Sequence, residues 1–91
     1  MGLRFPRLER GVDESLRTVN FIGSDAKHEL LCRVSWEALR EGTCLSDVNA
    51  QRALELFDRR RLLIELSAIR KYSSGHREAD GGILLGPGDI I

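Results

Sequence analysis

The run from Val48 to Ser73, VNAQRALELFDRRRLLIELSAIRKYS, holds neither glycine nor proline and decides the fold. Ala50, Leu54, Phe57, Arg61, Ile64, Ala68 and Tyr72 recur at spacings of three or four, which is the stripe of one helix face. Leu56, Leu63 and Leu66 widen that apolar surface, so the run predicts one long helix lying across a sheet. Ser46 or Asp47 would cap its start, because a short oxygen-bearing side chain can accept an orphan amide of the first turn. Ser73-Ser74-Gly75 ends it.

Upstream, two extended runs flank a short polar turn. Ser15 to Ile22 is rich in β-branched and aromatic residues, and Glu29 to Val34 alternates Leu30, Cys32 and Val34 with polar neighbours. With Gly23-Ser24-Asp25 as the turn, they predict an antiparallel β-hairpin. Residues 1–14, with Pro6 and Gly11, predict an irregular or partly extended lead-in. Ser35 caps a short helix from Trp36 to Glu41, and Gly42 supplies the left-handed residue that closes it. Downstream, Ile83 to Leu85 makes a third strand, and Gly86-Pro87-Gly88 breaks it before Ile90-Ile91. The order predicts a single α+β domain over residues 1–91: a three-stranded, mainly antiparallel sheet packed against one long and one short helix. The expected core is Leu16, Val19, Phe21, Leu30, Cys32, Val34, Leu39, Leu54, Phe57, Ile64 and Ala68, with Trp36 as a further anchor. A sheet covered on one side leaves Leu16 and Ile22, or Leu31, for a dimer or partner surface.

Composition bounds the function classes. Ninety-one residues is one small domain, 42% hydrophobic and 31% charged, and fourteen Lys and Arg balance fourteen Asp and Glu. A net charge of zero speaks against a polybasic nucleic-acid binder and an acidic disordered tail. The apolar runs are too short for a transmembrane helix or a secretory signal, and Pro6 spoils a myristoylation motif at Gly2. The expectation is a cytoplasmic protein with reduced thiols and no membrane contact.

Chemistry-bearing residues are sparse. His28, Cys32, Cys44 and His76 are the soft ligands, but His28 and Cys32 on one strand lie about 13 Å apart, too far to share a zinc ion. Nothing in the spacing fixes Cys44 beside an imidazole, and the remaining carboxylates Glu37, Glu41, Glu55 and Glu65 are spread around helices. Gly81-Gly82 and Gly86-Pro87-Gly88 open no helix, so they make no phosphate loop. The expectation is no catalytic residue, no metal and no cofactor, hence a protein that is not an enzyme.

Arginine is the informative residue. Arg52, Arg59, Arg60, Arg61, Arg70, Lys71 and Arg77 face only Glu55, Asp58 and Glu65 between positions 52 and 77. Consecutive helical residues point about 100° apart, so the triplet forms no single patch. Arg61 falls inside the apolar stripe, where a cation needs a partner. Either it reaches a sheet carboxylate such as Glu29, or it edges a pocket that recognises a carboxylate or phosphate. Arg60, Arg70 and Lys71 would form an external basic stripe, and Tyr72 would pack its ring with its hydroxyl in solvent. Arg60, Arg61, Arg70, Lys71 and Tyr72 are therefore the candidate binding residues.

Val19-Asn20-Phe21-Ile22-Gly23-Ser24-Asp25, followed by Glu29, Val34 and Ala38-Leu39, resembles the hairpin and first helix of the YrdB-like bacterial proteins. Phe57 to Arg61 with Ile64, Ala68, Lys71 and Tyr72 resembles their second half, and Ile83 to Leu85 with Asp89 their closing strand. The resemblance spans residues 3–89, with Trp36, Arg59 and Arg60 as departures. It implies a compact α+β domain of the bacterial cytoplasm, and it brings no activity or site, because that family is one of unknown function. Two readings follow. The first is a non-catalytic interaction module binding protein, either itself or another. The alternative is a weak nucleic-acid-binding accessory protein using the Arg-rich helix.

Overall fold

A period-two pattern held over two eight-residue strands sets the architecture. The computed structural model describes residues 2–26 and 28–91. Strands β2 (Thr18–Asp25) and β3 (His28–Ser35) pair antiparallel along their whole length, with Val19 opposite Val34 and Phe21 opposite Cys32. These four side chains share one face and are fully buried. On the other face Ile22 lies opposite Leu31 and Asn20 opposite Arg33, all half-buried.

Among the described residues the sheet has four strands, not three. Residues Arg10–Asp13 form β1, antiparallel to β2, and place half-buried Val12 opposite Val19 at the edge of the core. Ile83–Leu85 forms β4, parallel to β3, so the sheet is mixed in the order β1-β2-β3-β4. The parallel sense follows from topology, since the chain from Trp36 to Ser73, which carries the helices, intervenes between the paired strands and returns to the same end of the sheet. Among the described residues the helices are α1 (Trp36–Arg40), α2 (Ala50–Arg59) and α3 (Arg61–Ser73).

Several sequence expectations are corrected. Gly23-Ser24-Asp25 is strand, not turn: pairing runs out to Asp25 opposite His28, and Lys27 lies outside the described residues. Gly23 is there for packing: a Cβ on it would come within 2.8 Å of Leu3 Cδ1. Leu3 is buried on that bare backbone, and Arg4 and Ser24 exchange backbone hydrogen bonds of 2.8 and 2.7 Å beside it. Ser15 to Arg17 form a turn instead of the start of β2. The Asp13 carboxylate accepts the Leu16 amide at 2.9 Å, and Arg17 takes a left-handed φ of 55°. Leu16 is consequently 59% exposed and outside the core.

The long helix is two helices. Its cap is Asn49, whose side chain accepts the Arg52 amide at 2.8 Å, so Ser46 and Asp47 stay in the loop. It breaks at Arg60, where φ −113° and ψ 17° leave helical geometry. The Arg60 guanidinium meanwhile donates to the Leu39 and Glu41 carbonyls at 3.1 Å, satisfying the open end of α1. The break lets α2 pack on β1 and β2 while α3 packs on β4.

Other expectations hold. Ser35 Oγ accepts the Ala38 amide at 3.1 Å, and Gly42 has φ +78°. Val19, Phe21, Cys32, Val34, Trp36, Leu39, Phe57, Ile64 and Ala68 are buried, and Leu30 and Leu54 pack half-buried against them. Among the described residues no helix is long and apolar enough to cross a membrane.

Gly82 marks where β4 meets β3, since a Cβ there would collide with the Leu31 backbone carbonyl. Gly82→Ala is expected to cost about 2 kcal/mol, because neither backbone can yield cheaply. Gly11→Ala, which meets nothing within 4 Å, should stay within about 0.5 kcal/mol of the parent. Urea unfolding midpoints of the two variants check this.

Candidate functional site

The five candidate binding residues do not converge. Arg60 is consumed at the α1 terminus, as described above. Arg61 lies over the Phe57 ring at 5.1 Å and donates to Glu65 at 2.9 Å, to the Leu8 carbonyl at 2.9 Å and to the Arg7 carbonyl at 3.2 Å. Its side chain is 18% exposed, so the cation in the apolar stripe is paired, but with Glu65 and not Glu29. Glu29 pairs instead with Arg7 at 3.1 Å. Arg61 is thus a clasp that holds the amino-terminal segment on α3.

Lys71 plays the same part at the other end of α3. Its Nζ donates to the Leu84 carbonyl at 2.6 Å and to Asp89 at 2.9 Å, fastening β4 and the turn after it. The Tyr72 hydroxyl donates to the Asp25 carboxylate instead of reaching solvent, and Arg77 stacks on its ring at 4.2 Å. That hydrogen bond, aided by desolvation, raises the Tyr72 pKa above its ordinary value. Arg52 pairs with Glu55 at 3.1 Å, and Asp58 with Arg10 at 2.8 Å. Among the described residues of α2 and α3, Arg59 and Arg70 are the two cations whose side chains make no hydrogen bond or ion pair within the fold.

The remaining chemistry is scattered. Cys32 is buried, and desolvation pushes its thiol up to about 11. It stays a neutral packing group at neutral pH. Cys44 is exposed in the loop after α1. Among the described residues no three of His, Cys, Asp and Glu gather as a metal would require.

What the fold does assemble is an apolar ridge. Leu62, Leu63 and Leu66 on the outer side of α3 are 70%, 41% and 44% exposed. Leu8 and Ile91 are also exposed, and their backbones reach α3 elsewhere, the Leu8 carbonyl accepting from Arg61 and the Ile91 amide donating to Ser67, each at 2.9 Å. Alongside runs a groove of about 420 Å³ between α3 and the turn at Gly88, lined by Ser67, Arg70, Lys71, His76 and Asp89. Asp89 neutralises Lys71, while Arg70 is left over.

This ridge differs from the sequence expectation, in which Leu63 and Leu66 widen the surface that faces the sheet. The signal lay in the run Arg61-Leu62-Leu63-Ile64-Glu65-Leu66, which puts apolar residues on both sides of a helix. Ile64, Ser67 and Ala68 already supply the buried side of α3, so Leu62, Leu63 and Leu66 have none to cover.

A family model described as a protein of unknown function, DUF1488, matches residues 3–85. No curated protein matches the chain. Among solved structures, a protein of unknown function from the DUF1488 family of Shewanella loihica PV-4 superposes with a TM-score of 0.83. It is 20% identical, and the match covers 94% of this chain and 93% of that one, which is a likeness of fold.

Two outcomes test the reading of these cations as structural ties. Arg61→Met is expected to cost about 2 kcal/mol and to speed amide exchange across residues 3–9, with Arg61→Lys failing to restore it. Unchanged exchange in that segment would remove the clasp. Burial opposes ionisation of Asp89, but Lys71, the Gly86 amide and His76 together hold its carboxyl below the ordinary 3.8. Its contribution is therefore full above about pH 4 and lost as pH falls through the lower folded-state value. Urea midpoints from about pH 6 down to 2 should show a smaller acid loss in Asp89→Asn than in the parent.

Proposed function

We propose that this chain, which belongs to the DUF1488 family of proteins of unknown function, is a non-catalytic interaction module that docks another protein on the outer ridge of α3. We read it further as a YrdB-like member working in the bacterial cytoplasm, on the residues quoted for that resemblance. The observation that carries the proposal is the cluster of Leu62, Leu63 and Leu66, exposed on a helix whose opposite side already packs the core. Contiguous exposed apolar side chains of this kind mark interaction surfaces in soluble domains. The non-catalytic part rests on how the polar groups are used: Arg60, Arg61, Lys71 and Tyr72 each spend their donors inside the fold.

The open sheet face is a weaker docking place. Ile22 and Leu31 there are only half-exposed, and Leu16 lies on the turn between β1 and β2. Nucleic-acid binding draws less support, since most cations of α2 and α3 already have acceptors in the fold.

Leu62→Glu/Leu66→Glu changes only exposed positions and should leave the urea midpoint within about 0.5 kcal/mol of the parent. Tagged parent protein from its native host is expected to retain a stoichiometric protein partner after nuclease, and the variant to lose it. Recovery of nucleic acid alone, with affinity collapsing between about 50 and 200 mM salt, would overturn the proposal in favour of the arginine helix.

A further inference from the structure

One wall of the groove beside α3 is built by the way that helix ends. Gly75 takes φ +81°, and the chain turns back on the last turn of α3. The Gly75 amide donates to the Tyr72 carbonyl at 3.0 Å and the His76 amide to the Lys71 carbonyl at 3.2 Å, the left-handed closure that glycine permits. This closure puts His76 in the lining of the same groove as Arg70 and Lys71. Ser74 takes the Arg70 carbonyl with its amide at 3.1 Å and its hydroxyl at 3.0 Å. Three of the last carbonyls of α3 are thus occupied, which blunts the negative end that would repel an anion.

The facing wall is the turn after β4. Asp89 Oδ2 accepts the Gly86 amide at 2.8 Å and Lys71 Nζ at 2.9 Å, and the Glu41 carboxylate accepts the Gly88 amide at 3.0 Å. Both walls are therefore held before any ligand arrives. About 420 Å³ lies between them, inside the range of roughly 300–1,000 Å³ that small-molecule sites occupy. Lys71 and Asp89 offset one another. Arg70 and His76 are exposed, and among the described residues their side chains make no hydrogen bond or ion pair. The groove is left with a free guanidinium fork and a free imidazole.

We infer that this groove binds a small phosphomonoester by its phosphoryl group. The Arg70 fork takes two phosphoryl oxygens through parallel N–H bonds, and His76 donates a ring N–H to the third. A carboxylate has two oxygens only, so it fills the fork and leaves the imidazole without an acceptor. A polyanion needs a track of free cations, whereas Arg52, Arg60 and Arg61 on the same helices are engaged within the fold. A phosphoryl group alone leaves most of the groove unfilled, which is room for the body of the ester. The site lies beside the docking ridge and does not depend on it.

The probe is glycerol 3-phosphate, titrated into the ¹⁵N-labelled full chain at constant ionic strength beside inorganic phosphate, acetate and a single-stranded oligonucleotide. Saturable shifts are expected at the amides of Ser74, Gly75, His76, Gly88 and Asp89, with a dissociation constant of about 1 mM and acetate about tenfold weaker. Arg70→Gln changes an exposed side chain that ties nothing in the fold and should weaken the ester about tenfold. Arg70→Lys keeps the charge without the fork and should weaken it nearly as much. Shifts that do not saturate, that survive Arg70→Gln, or that acetate reproduces at equal affinity would overturn the inference. Inorganic phosphate bound as tightly as the ester would remove the organic body from the ligand, and tighter binding of the oligonucleotide would give the groove to nucleic acid instead.

Discussion

The contact of Phe57 on Phe21, ring centroids 5.1 Å apart, joins the helical layer to the sheet, and the rest of the structure is arranged around it. Phe21 is on the inward face of β2 only because the hairpin register sets it opposite Cys32. A slip of β2 by one residue would turn Val19 and Phe21 to the open face while Cys32 and Val34 stayed inward, so burial of this aromatic pair and the strand register enforce one another. Phe5 extends the same stack, its ring 5.6 Å from Phe21, and brings the amino-terminal segment against the bare backbone of Gly23.

With Phe57 fixed, the direction of α2 is fixed, and the remaining helical residues cannot continue straight and still cover β4. The break at Arg60 resolves this without glycine or proline. The residue that leaves helical geometry is the one whose guanidinium caps the carbonyls of α1. Arginine acts here as a multi-donor tie: Arg60 closes α1, Arg61 clasps the segment before β1, and Arg10 fastens that edge strand to Asp58. A planar guanidinium with five N–H groups serves several carbonyls at once, which the compact ammonium of lysine does less well. The abundance of arginine in a chain without net charge thus has a structural use that composition alone does not separate from nucleic-acid binding.

The legible parts of the fold were those whose signal is local. The alternation in β3, the Ser35 cap, the left-handed Gly42 and the short β4 each depend on residues within a turn of one another. The illegible parts depend on distant ones. β1 carries one inward apolar residue, Val12, and exists because β2 offers it an edge. Gly23 resembles a turn glycine until Leu3 is seen against it. Arg60 has an ordinary helix propensity, and the break there is decided by the α1 carbonyls some twenty positions earlier. Of the candidate site, the sequence pointed to Arg70 and Lys71, which do share a groove. It did not point to Leu62, because exposure is a property of the packed helix.

The two-sided character of α3 also separates what the fold requires from what it does not. A helix apolar on one side is explained by the sheet beneath it, and α2 is of that kind, with Ala53, Leu56 and Phe57 buried. In α3, Ile64, Ser67 and Ala68 meet the sheet while the outer leucines meet water. Solvent-facing leucines add little to folding, since most of their surface stays exposed. Glutamate or lysine at those positions would serve the isolated domain equally well and keep it more soluble. The fold alone leaves these leucines unaccounted for, and the docking surface proposed above would account for them.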